Sequence, residues 1–431
     1  MKKTVFGLLS LFVLTACTVQ NPDRLVKLSN VERIIRTLSA DDMQGRATFS
    51  PGIEKAARFI ESEFKEIGLV PLSGENNFRQ EFSKIRIKPS IQDVMVNGKA
   101  VPAGSVFAIT DNQNVNWTES SGIEMIQIKS GEKFMDRYRA IARTNQSALV
   151  FVDSSHSKLF RRFYEDNLQG RIVGSLKEGS AKVFVLGFNE ASSYVVKINN
   201  SVEKLPLSNV AGMIPGKSRE KELIVFSGHY DHLGIIKTGS VDSIANGADD
   251  DASGITAVIE LARYFKKINN NERTLIFVAF TAEEIGGFGS KYFSEQLNPD
   301  DVVAMFNIEM IGKESKFGKN AAFITGFEKS DFGAILQRNL AGTQFTFHPD
   351  PYPDQNLFYR SDNATLAALG VPAHTISTDQ IDIDKFYHTV GDEFETLNVN
   401  NISATIKAIA LSAGSIVAGR DAPKRIPKLE K

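Results

Sequence analysis

Charged residues follow two neighbouring apolar runs, and this pattern limits the possible folds more than any other feature of the chain. His229 comes shortly after the run Leu223–Phe226, and the adjacent acids Glu283 and Glu284 come shortly after the run Thr274–Phe280. Short apolar runs of this kind predict buried β-strands. Because open α/β sheets keep their sites past the carboxyl ends of the strands, we expect both groups to lie at one edge of a sheet.

Three consecutive aspartates lie between these two runs. Asp249, Asp250 and Asp251 precede Ile255–Phe265, whose apolar residues recur at helical spacing, so the acidic run is a loop that enters a helix. Neighbouring carboxylates repel one another unless a cation or hydrogen-bond donors compensate. A solvated helix start is one explanation. A bound dication is the other, and histidine nitrogen together with carboxylate oxygen suits zinc better than calcium or magnesium.

Composition excludes one class of partner. The chain has 431 residues, of which 42% are hydrophobic and 23% charged, and its formal net charge is −1 at pH 7. Such a chain can bury a large core and has room for two or three domains. Without a basic excess, no nucleic-acid partner is expected.

The motifs of this stretch, taken in order, resemble those of a known family. GHYDHLG at Gly228–Gly234, GADDDASG at Gly247–Gly254 and FTAEEIGGFGS at Phe280–Ser290 are similar to the co-catalytic di-zinc aminopeptidases. The same metallopeptidase family contains glutamate carboxypeptidase and, as a one-zinc branch, glutaminyl cyclase. FNIEMIG at Phe306–Gly312 and YHT at Tyr387–Thr389 complete the pattern. The resemblance implies a zinc-exopeptidase-like α/β fold, with a mixed, mostly parallel sheet and helices on both faces.

Carried over by position, the resemblance implies a site for two zinc ions. Glu283 would be the general base beside the ligand Glu284. Glu309 stands where the family usually has aspartate, and its extra methylene requires a different reach. The implied ligands are Asp250 as the bridge, His229 and Glu309 for one zinc ion, and Glu284 and His388 for the other.

Two further acids fit the role of positioning the zinc-binding histidines. Asp231 lies two residues after His229 and could accept the ring N–H that faces away from the metal. Asp392, four residues after His388, could do the same there. The other histidines of the chain are expected to be structural or surface residues, namely His156, His232, His348 and His374.

The polar loop Phe347–Asn363 is the expected wall of the substrate site. In the family, the segment equivalent to Ser361 and Asp362 lines the pocket, and a nearby tyrosine steadies the oxyanion. Tyr359 is the candidate for that role here, although its offset from Ser361 is not the usual one. Asn363 stands where the family commonly has histidine.

The chemistry of such a site follows from its parts. Two zinc ions about 3.5–4 Å apart share a water, lower its pKa toward about 7 and polarise a carbonyl oxygen. A carboxylate that is not a ligand then takes the proton of the water and passes it to the leaving amine. The predicted function is a metallo-aminopeptidase that hydrolyses N-terminal residues from peptides. A carboxypeptidase, a one-zinc cyclase-like enzyme and a non-catalytic surface binding protein remain as alternatives.

The first residues have the pattern of an export signal. Lys2 and Lys3 are followed by the apolar stretch Val5–Leu14, which is too short for an ordinary transmembrane helix. Leu14–Cys17 resembles the bacterial lipobox, so residues 1–17 are predicted to be a lipoprotein signal peptide. Lipidated Cys17 would then anchor an exported protein to a bacterial membrane, on the periplasmic side or at the outer membrane. A plain secretory signal is the alternative. Cys17 is the only cysteine, so no disulfide is expected.

The rest of the chain divides into segments with different sequence patterns. Residues 18–84 are predicted to form a tether and helices, including an amphipathic helix at Lys55–Leu69. Residues 85–205 resemble a small, β-rich, protease-associated insert, with a hairpin turn at Asn97-Gly98. Such an insert would shape access to the site or serve as a spacer or interaction module. Residues 206–420 are the predicted catalytic domain, and residues 421–431 a polar tail.

Overall fold

The computed structural model describes residues 21–72, 74–176, 178–237 and 241–429, and these residues form two compact units. The larger unit contains the described residues up to Gln80 and those from Ser208 onward, and the smaller unit is Glu81–Leu207. The predicted insert, residues 85–205, has bounds within four residues of the smaller unit. The predicted signal peptide, with Cys17, lies outside the described residues.

Helices and strands occur in both units, and in the larger unit they alternate, as the sequence pattern predicts. In chain order the helices are α1 Pro22–Leu25, α2 Leu28–Leu38, α3 Pro51–Ile67, α4 Phe134–Ala142, α5 Ser157–Gln169, α6 Gly254–Ile268, α7 Phe288–Glu295, α8 Phe332–Asn339, α9 Asn363–Ala368, α10 Val399–Ser412 and α11 Gly414–Val417. The strands are β1 Val70–Pro71, β2 Arg79–Val96, β3 Lys99–Ala100, β4 Val106–Ile109, β5 Asn114–Thr118, β6 Glu124–Ile128, β7 Ala148–Val152, β8 Arg171–Val173, β9 Lys182–Leu186, β10 Tyr194–Ile214, β11 Arg219–His229, β12 Gly234–Ile235, β13 Ile244–Ala245, β14 Arg273–Phe280, β15 Val302–Ile308, β16 Ala321–Ile324, β17 Thr346–Pro349 and β18 Ala373–Ser377.

The sheet of the larger unit is mixed and mostly parallel. Its strand order is β17-β16-β18-β15-β11-β14-β10. At the centre β11 runs parallel to both β14 and β15, and β15 runs parallel to β18. β10 is antiparallel to β14, and β16 is antiparallel to β18. The predicted fold class is therefore confirmed.

Helices cover both faces of this sheet because successive strand residues point to opposite sides. Ile224 and Phe226 of β11 pack on one side with apolar residues of α2, α3, α6, α8 and α10. Val225, between them in the chain, packs on the other side with Phe293 of α7 and Leu366 of α9.

Helix α3 shows how local sequence sets up this packing. The Ser50 hydroxyl accepts the N–H of Ile53 at 3.4 Å, which caps the helix start, and Gly68 ends the helix in the left-handed region at φ 80°. Ile60 and Phe64, four residues apart, are fully buried. Burying a side chain of this size stabilises the fold by about 1.5–3 kcal/mol. The predicted helix is confirmed and begins four residues earlier, at Pro51.

The smaller unit has its own core. Its four-stranded sheet has the order β4-β9-β7-β6, with β6, β7 and β9 parallel and β4 antiparallel to β9. Phe134 of α4 and Phe160 of α5 pack on one face, against Phe107 and Phe184. Val96 pairs with Lys99 across the predicted hairpin turn. The protease-associated assignment of this unit stays a prediction.

None of the helices in the described parts of the chain is both long enough and apolar enough to cross a membrane.

Candidate metal centre

Parallel strands bring the sequence motifs to one edge of the sheet. His229 is the last residue of β11 and is in register with Phe280, the last residue of β14. Glu283 and Glu284 follow β14 within four residues, and Glu309 follows β15 directly. The expected meeting of these groups past the carboxyl ends of the strands is confirmed.

The three aspartates are all buried, but only the middle one faces the histidines. Asp250 Oδ1 lies 3.2 Å from His229 Nε2, and Asp250 Oδ2 lies 3.3 Å from His388 Nε2. Asp249 instead accepts the main-chain N–H of Gly312 at 2.7 Å. Asp251 accepts main-chain N–H groups from three positions, namely His229 at 3.2 Å, Gly254 at 3.1 Å and Met310 at 3.1 Å. The peptide bond between Asp250 and Asp251 is cis.

Two groups of donor atoms share Asp250. On one side of it are His229 Nε2 and Glu309 Oε1, 4.0 Å apart. On the other side His388 Nε2 lies 3.2 Å from Glu284 Oε2. Ligand atoms bound to one tetrahedral zinc ion at its usual bond lengths are separated by about 3.3 Å. His388 Nε2 thus has the spacing of a zinc ligand to both Asp250 Oδ2 and Glu284 Oε2, while Glu309 Oε1 lies somewhat farther from His229 Nε2.

The hydrogen bonds of His229 leave one ring nitrogen free for a metal. Nδ1 lies 3.1 Å from the main-chain carbonyl oxygen of Asp231, which can only accept, so Nδ1 carries the proton. Nε2 is buried and faces Asp250 without a hydrogen-bond partner among the described residues. The residues therefore fit zinc, because a buried imidazole lone pair aimed at carboxylates is a donor set that zinc prefers.

Electrostatics at the site also favour a cation. Burial disfavours the charged form of Asp250, but His232, His229 and His388 outweigh it and hold the pKa of Asp250 well below its usual value. Burial raises the pKa of Glu283 well above its usual value, and the charge of nearby Glu309 adds to the shift. The carboxylates thus compete for the positive charge of the imidazoles, and a dication would relieve that competition.

The two predicted positioning acids act differently from expectation. It is the main-chain carbonyl of Asp231, not its carboxylate, that accepts the ring proton of His229. The Asp231 carboxylate lies 3.9 Å from that nitrogen and instead accepts the main-chain N–H groups of Glu283 at 3.0 Å and Glu284 at 3.3 Å. Asp231 therefore fixes the backbone that carries the general-base candidate and its neighbouring ligand.

Asp392 likewise holds backbone rather than the ring of His388. Its carboxylate accepts the main-chain N–H groups of Asp249 at 3.0 Å and of Asp250 at 3.0 Å. The prediction that Asp392 pairs with His388 is wrong. The buried N–H groups of Asp249 and Asp250 need hydrogen-bond acceptors, and the Asp392 carboxylate supplies them. The His388 ring stacks on Tyr387 instead, with 3.9 Å between the ring centroids.

The expected pocket tyrosine is also placed differently. Tyr359 packs against the apolar cluster of α7 and α9, with its ring 4.7 Å from that of Phe358. The tyrosine that lines a cavity beside Glu309 is Tyr387. Tyr359 belongs to a short helical turn, Leu357–Tyr359, in which Phe358 is buried.

The cavity beside Glu309 is small, at about 70 Å³. Its apolar lining includes Met310, Phe323, Leu357 and Ile381. Ser361 also lines it and donates a hydrogen bond to Glu309 Oε2, so the predicted link between this loop and the site is present. The further polar lining residues are Thr325, Arg360, Thr375, Ser377 and Asp379.

Two functional candidates were not foreseen from the sequence. His232, expected to be structural or on the surface, is buried with Nδ1 2.9 Å from Glu284 Oε1 and 3.6 Å from Asp250 Oδ2. Its position three residues after His229 in the same loop was the available signal. Arg46 lies fully buried behind the acidic turn, and nothing in its local sequence marks it.

The fold and the donor set define the larger unit as an α/β protein with a zinc-type site at the carboxyl edge of its sheet. Residues 209–413 match the family model described as Peptidase family M28. The stretch that carries the site therefore matches that family.

Curated relatives match part of the chain. Leucine aminopeptidase 1 of Pyrenophora tritici-repentis is 30% identical over 224 residues, 48% of this chain and 55% of the relative. Aminopeptidase YwaD of Bacillus subtilis is 20% identical over 281 residues, 62% of this chain and 56% of the relative. A probable zinc metalloprotease of Pyrenophora teres f. teres is 32% identical over 129 residues, 29% of this chain and 26% of the relative. The chain thus spans from about a quarter to just over half of these relatives.

Solved structures share the fold over almost the whole chain. The aminopeptidase from Aneurinibacillus sp. strain AM-1 is 22% identical with a TM-score of 0.53, covering 94% of this chain and 96% of that one. BSAP, a zinc aminopeptidase from Bacillus subtilis, is 14% identical with a TM-score of 0.53, covering 94% and 99%. At these identities the likeness concerns the fold.

Proposed function

We propose that this protein is an aminopeptidase that removes N-terminal residues from peptides, using two zinc ions and Glu283 as general base. One observation carries the proposal: Asp250 presents one carboxylate oxygen to His229 and the other to His388, with Glu309 and Glu284 beside them. The names of the aminopeptidase and zinc metalloprotease relatives support the reaction class.

Each residue has a defined task in this proposal. Zinc bound between these residues would supply a water acidic enough to attack a peptide carbonyl near neutral pH. Glu283 takes the proton of that water and delivers it to the leaving amine. Burial raises the pKa of Glu283, which suits a carboxylate that must accept a proton and then release it. Asp231 keeps Glu283 in reach by binding its main-chain N–H.

The proposal is tested with matched short peptides that have a free or an acetylated N-terminus, with and without a chelator. We expect cleavage of the free peptide only, and its loss on chelation. Equal cleavage of both peptides would show that the site does not read the N-terminus. No cleavage of either, in a protein that binds zinc, would contradict a peptidase function and favour a binding protein or a cyclase.

A carboxypeptidase is the competing assignment that one residue favours. Arg360 lines the cavity beside Glu309, and a guanidinium at that place would suit a free carboxylate. The same peptides with a C-terminal amide separate the two activities. An aminopeptidase cleaves the amidated and the free peptide alike, whereas a carboxypeptidase cleaves only the peptide with the free carboxylate.

We also propose that Cys17 is lipidated and anchors the protein to a membrane outside the cytoplasm. The proposal rests on the sequence Leu14-Thr15-Ala16-Cys17 after a short apolar stretch. Metabolic labelling with a fatty acid is expected to mark the native chain and not Cys17→Ser. Labelling of neither form would support a plain secretory signal instead.

A further inference from the structure

The surrounding backbone holds the side chain of His232 in one position. Its main-chain N–H donates to the carbonyl of Arg46 at 3.2 Å, and its side chain is fully buried. The ring lies so close to Gly247 that a Cβ added there would be 2.6 Å from ring atoms of His232. Gly247 also has a φ of 58°, in the region that favours glycine. The ring therefore has a fixed position against the acidic turn.

The contacts of this ring divide the two oxygens of Glu284 between two histidines. Glu284 Oε2 is the atom 3.2 Å from His388 Nε2, on the side of the metal ligands. Glu284 Oε1 is the atom 2.9 Å from His232 Nδ1. One oxygen is thus available to a metal while the other is engaged, which is how ligating carboxylates are usually oriented in metal sites.

From this geometry we infer that His232 is a positioning residue, whose Nδ1–H donates to Glu284 Oε1 and orients Glu284 as a ligand of the second zinc ion. The inference rests on the proposed function only in assuming that zinc binds beside Asp250. His232 does not touch the reacting atoms and acts through Glu284.

The burial of the other ring nitrogen argues against His232 as a direct ligand. Nε2 is buried and has no hydrogen-bond partner among the residues that the structure describes. If Nδ1 bound the metal, Nε2 would have to carry the proton, and a buried N–H would be left without an acceptor. Buried N–H groups without partners are rarer than buried acceptors without partners. A proton on Nδ1 avoids this and makes the 2.9 Å contact a hydrogen bond.

The test compares three substitutions that place different groups near Glu284. His232→Ala removes the donor. His232→Asn puts an amide N–H close to the position of Nδ1, and His232→Gln puts the same amide farther out, near Nε2. Metal-stripped protein of each variant is titrated with zinc, and bound zinc is counted by elemental analysis. His374→Ala is the control, because His374 is equally buried but bonds to Ser330 and Thr325 instead.

We expect the wild type to bind two zinc ions. His232→Ala and His232→Gln should bind one of them about 10–100-fold more weakly, the usual effect of losing such a partner, while His232→Asn recovers most of the affinity. The visible spectrum of the cobalt-substituted protein should be unchanged in His232→Asn. His374→Ala should lower the melting temperature and leave the zinc affinity as it is.

Two results would overturn the inference. Equal zinc affinities in the wild type and His232→Ala would show that the contact does not orient the ligand. A His232→Asn variant that binds as weakly as His232→Ala, with an altered cobalt spectrum, would make His232 a direct ligand. A wild type that binds no zinc would contradict the proposed function itself, so the two failures are distinguishable.

Discussion

Adjacent residues of one sequence run have separate roles at this site. Asp249 and Asp251 bind main-chain N–H groups of the strand ends and turns around them, while Asp250 alone meets the histidines. Burial and the nearby Asp392 raise the pKa of Asp249 to about 7, although Lys313 opposes this. The role of each carboxylate in this run is therefore determined by the groups that it contacts and not by its neighbours in the chain.

Glu283→Gln tests the general base. The amide cannot take a proton, so we expect kcat to fall by about 10²–10⁴-fold, the usual contribution of general acid–base catalysis. Zinc content should stay at the wild-type value, because the ligand Glu284 is unchanged. Steady-state kinetics and elemental analysis measure both. As a contrast, Glu284→Gln should lose zinc, and normal turnover in zinc-loaded Glu283→Gln would remove Glu283 from its assigned role.

His374 makes stability depend on pH. Burial lowers its pKa to about 4 from an ordinary 6.5, and its neutral ring donates to the Thr325 carbonyl and accepts from the Ser330 hydroxyl. The unfolded chain thus binds a proton that the folded chain does not, and stability is lost as pH falls from about 6.5 to about 4. The total loss is about 3 kcal/mol, since one pKa unit corresponds to about 1.4 kcal/mol.

Urea unfolding of the wild type and His374→Gln measures this effect. Metal-free protein is used, so that zinc release at low pH does not contribute. The free energy of unfolding of the wild type, relative to that of His374→Gln, should decrease as pH falls from 7.5 to 4.5. A difference that stays constant over that range would contradict the assigned pKa.

At the scale of elements, one buried guanidinium joins three segments behind the metal centre. Arg46 donates to the carbonyls of Tyr230 at 2.9 Å, after β11, of Leu38 at 2.6 Å, at the end of α2, and of Gly247 at 2.9 Å, in the acidic turn. A further bond runs to the Asn246 carbonyl at 2.5 Å. The planar fork of arginine can serve several acceptors at once, which an ammonium group cannot.

Arg46→Lys should therefore weaken both the fold and the site. Two charge-assisted hydrogen bonds of about 1.5–3 kcal/mol each are lost, so we expect the free energy of unfolding to fall by about 3–6 kcal/mol. Zinc affinity should fall with it, because the turn that carries Asp250 loses its support. Urea unfolding and zinc titration measure the two effects. An exposed control, Arg161→Lys, should change neither.

The cavity between the ends of β15, β16 and β18 predicts a preference among substrates. Its volume of about 70 Å³ is roughly half that of a cavity known to hold benzene. If it receives the N-terminal side chain, small aliphatic residues should be cleaved at least about 10-fold faster in kcat/KM than aromatic ones. Phe323→Ala enlarges the cavity and should lower the ratio of kcat/KM for small aliphatic residues to kcat/KM for aromatic ones. A variant that leaves the ratio unchanged would place the side chain elsewhere.

At the scale of the whole molecule, metal binding should stabilise one unit and leave the other unaffected. The ligands all belong to the larger unit, and Glu81–Leu207 has a core of its own. Zinc present at about 1,000 times its dissociation constant stabilises the folded state by about 4 kcal/mol. Chelation should thus increase amide hydrogen exchange in the segments around His229, Asp250 and His388. Exchange within Glu81–Leu207 should not change, and a loss of protection there would show coupling between the units.

Much of the fold and of the site could be predicted because local sequence patterns determine these parts. Apolar runs of strand length, a helical stripe after the acidic run, and polar residues directly after strands all act over a few residues. They were sufficient for the α/β class, for helix α3, and for the meeting of His229, Asp250 and Glu284, whereas the meeting with Glu309 and His388 was implied by the resemblance of the motifs. The motif order added the roles that each of these residues is expected to have.

Tertiary structure alone decided which second group each of these side chains meets. Asp392 binds N–H groups about 140 residues away in the chain, and Arg46 reaches carbonyls about 200 residues away. His232 became a partner of Glu284 because the ends of β11 and β14 lie side by side, and Tyr387 rather than Tyr359 reached the cavity. The sequence by itself determined the residues that can bind a metal, because ligand chemistry belongs to the side chain. Their orientation depends on buried polar groups finding partners, and those partners are set by the packing of distant segments.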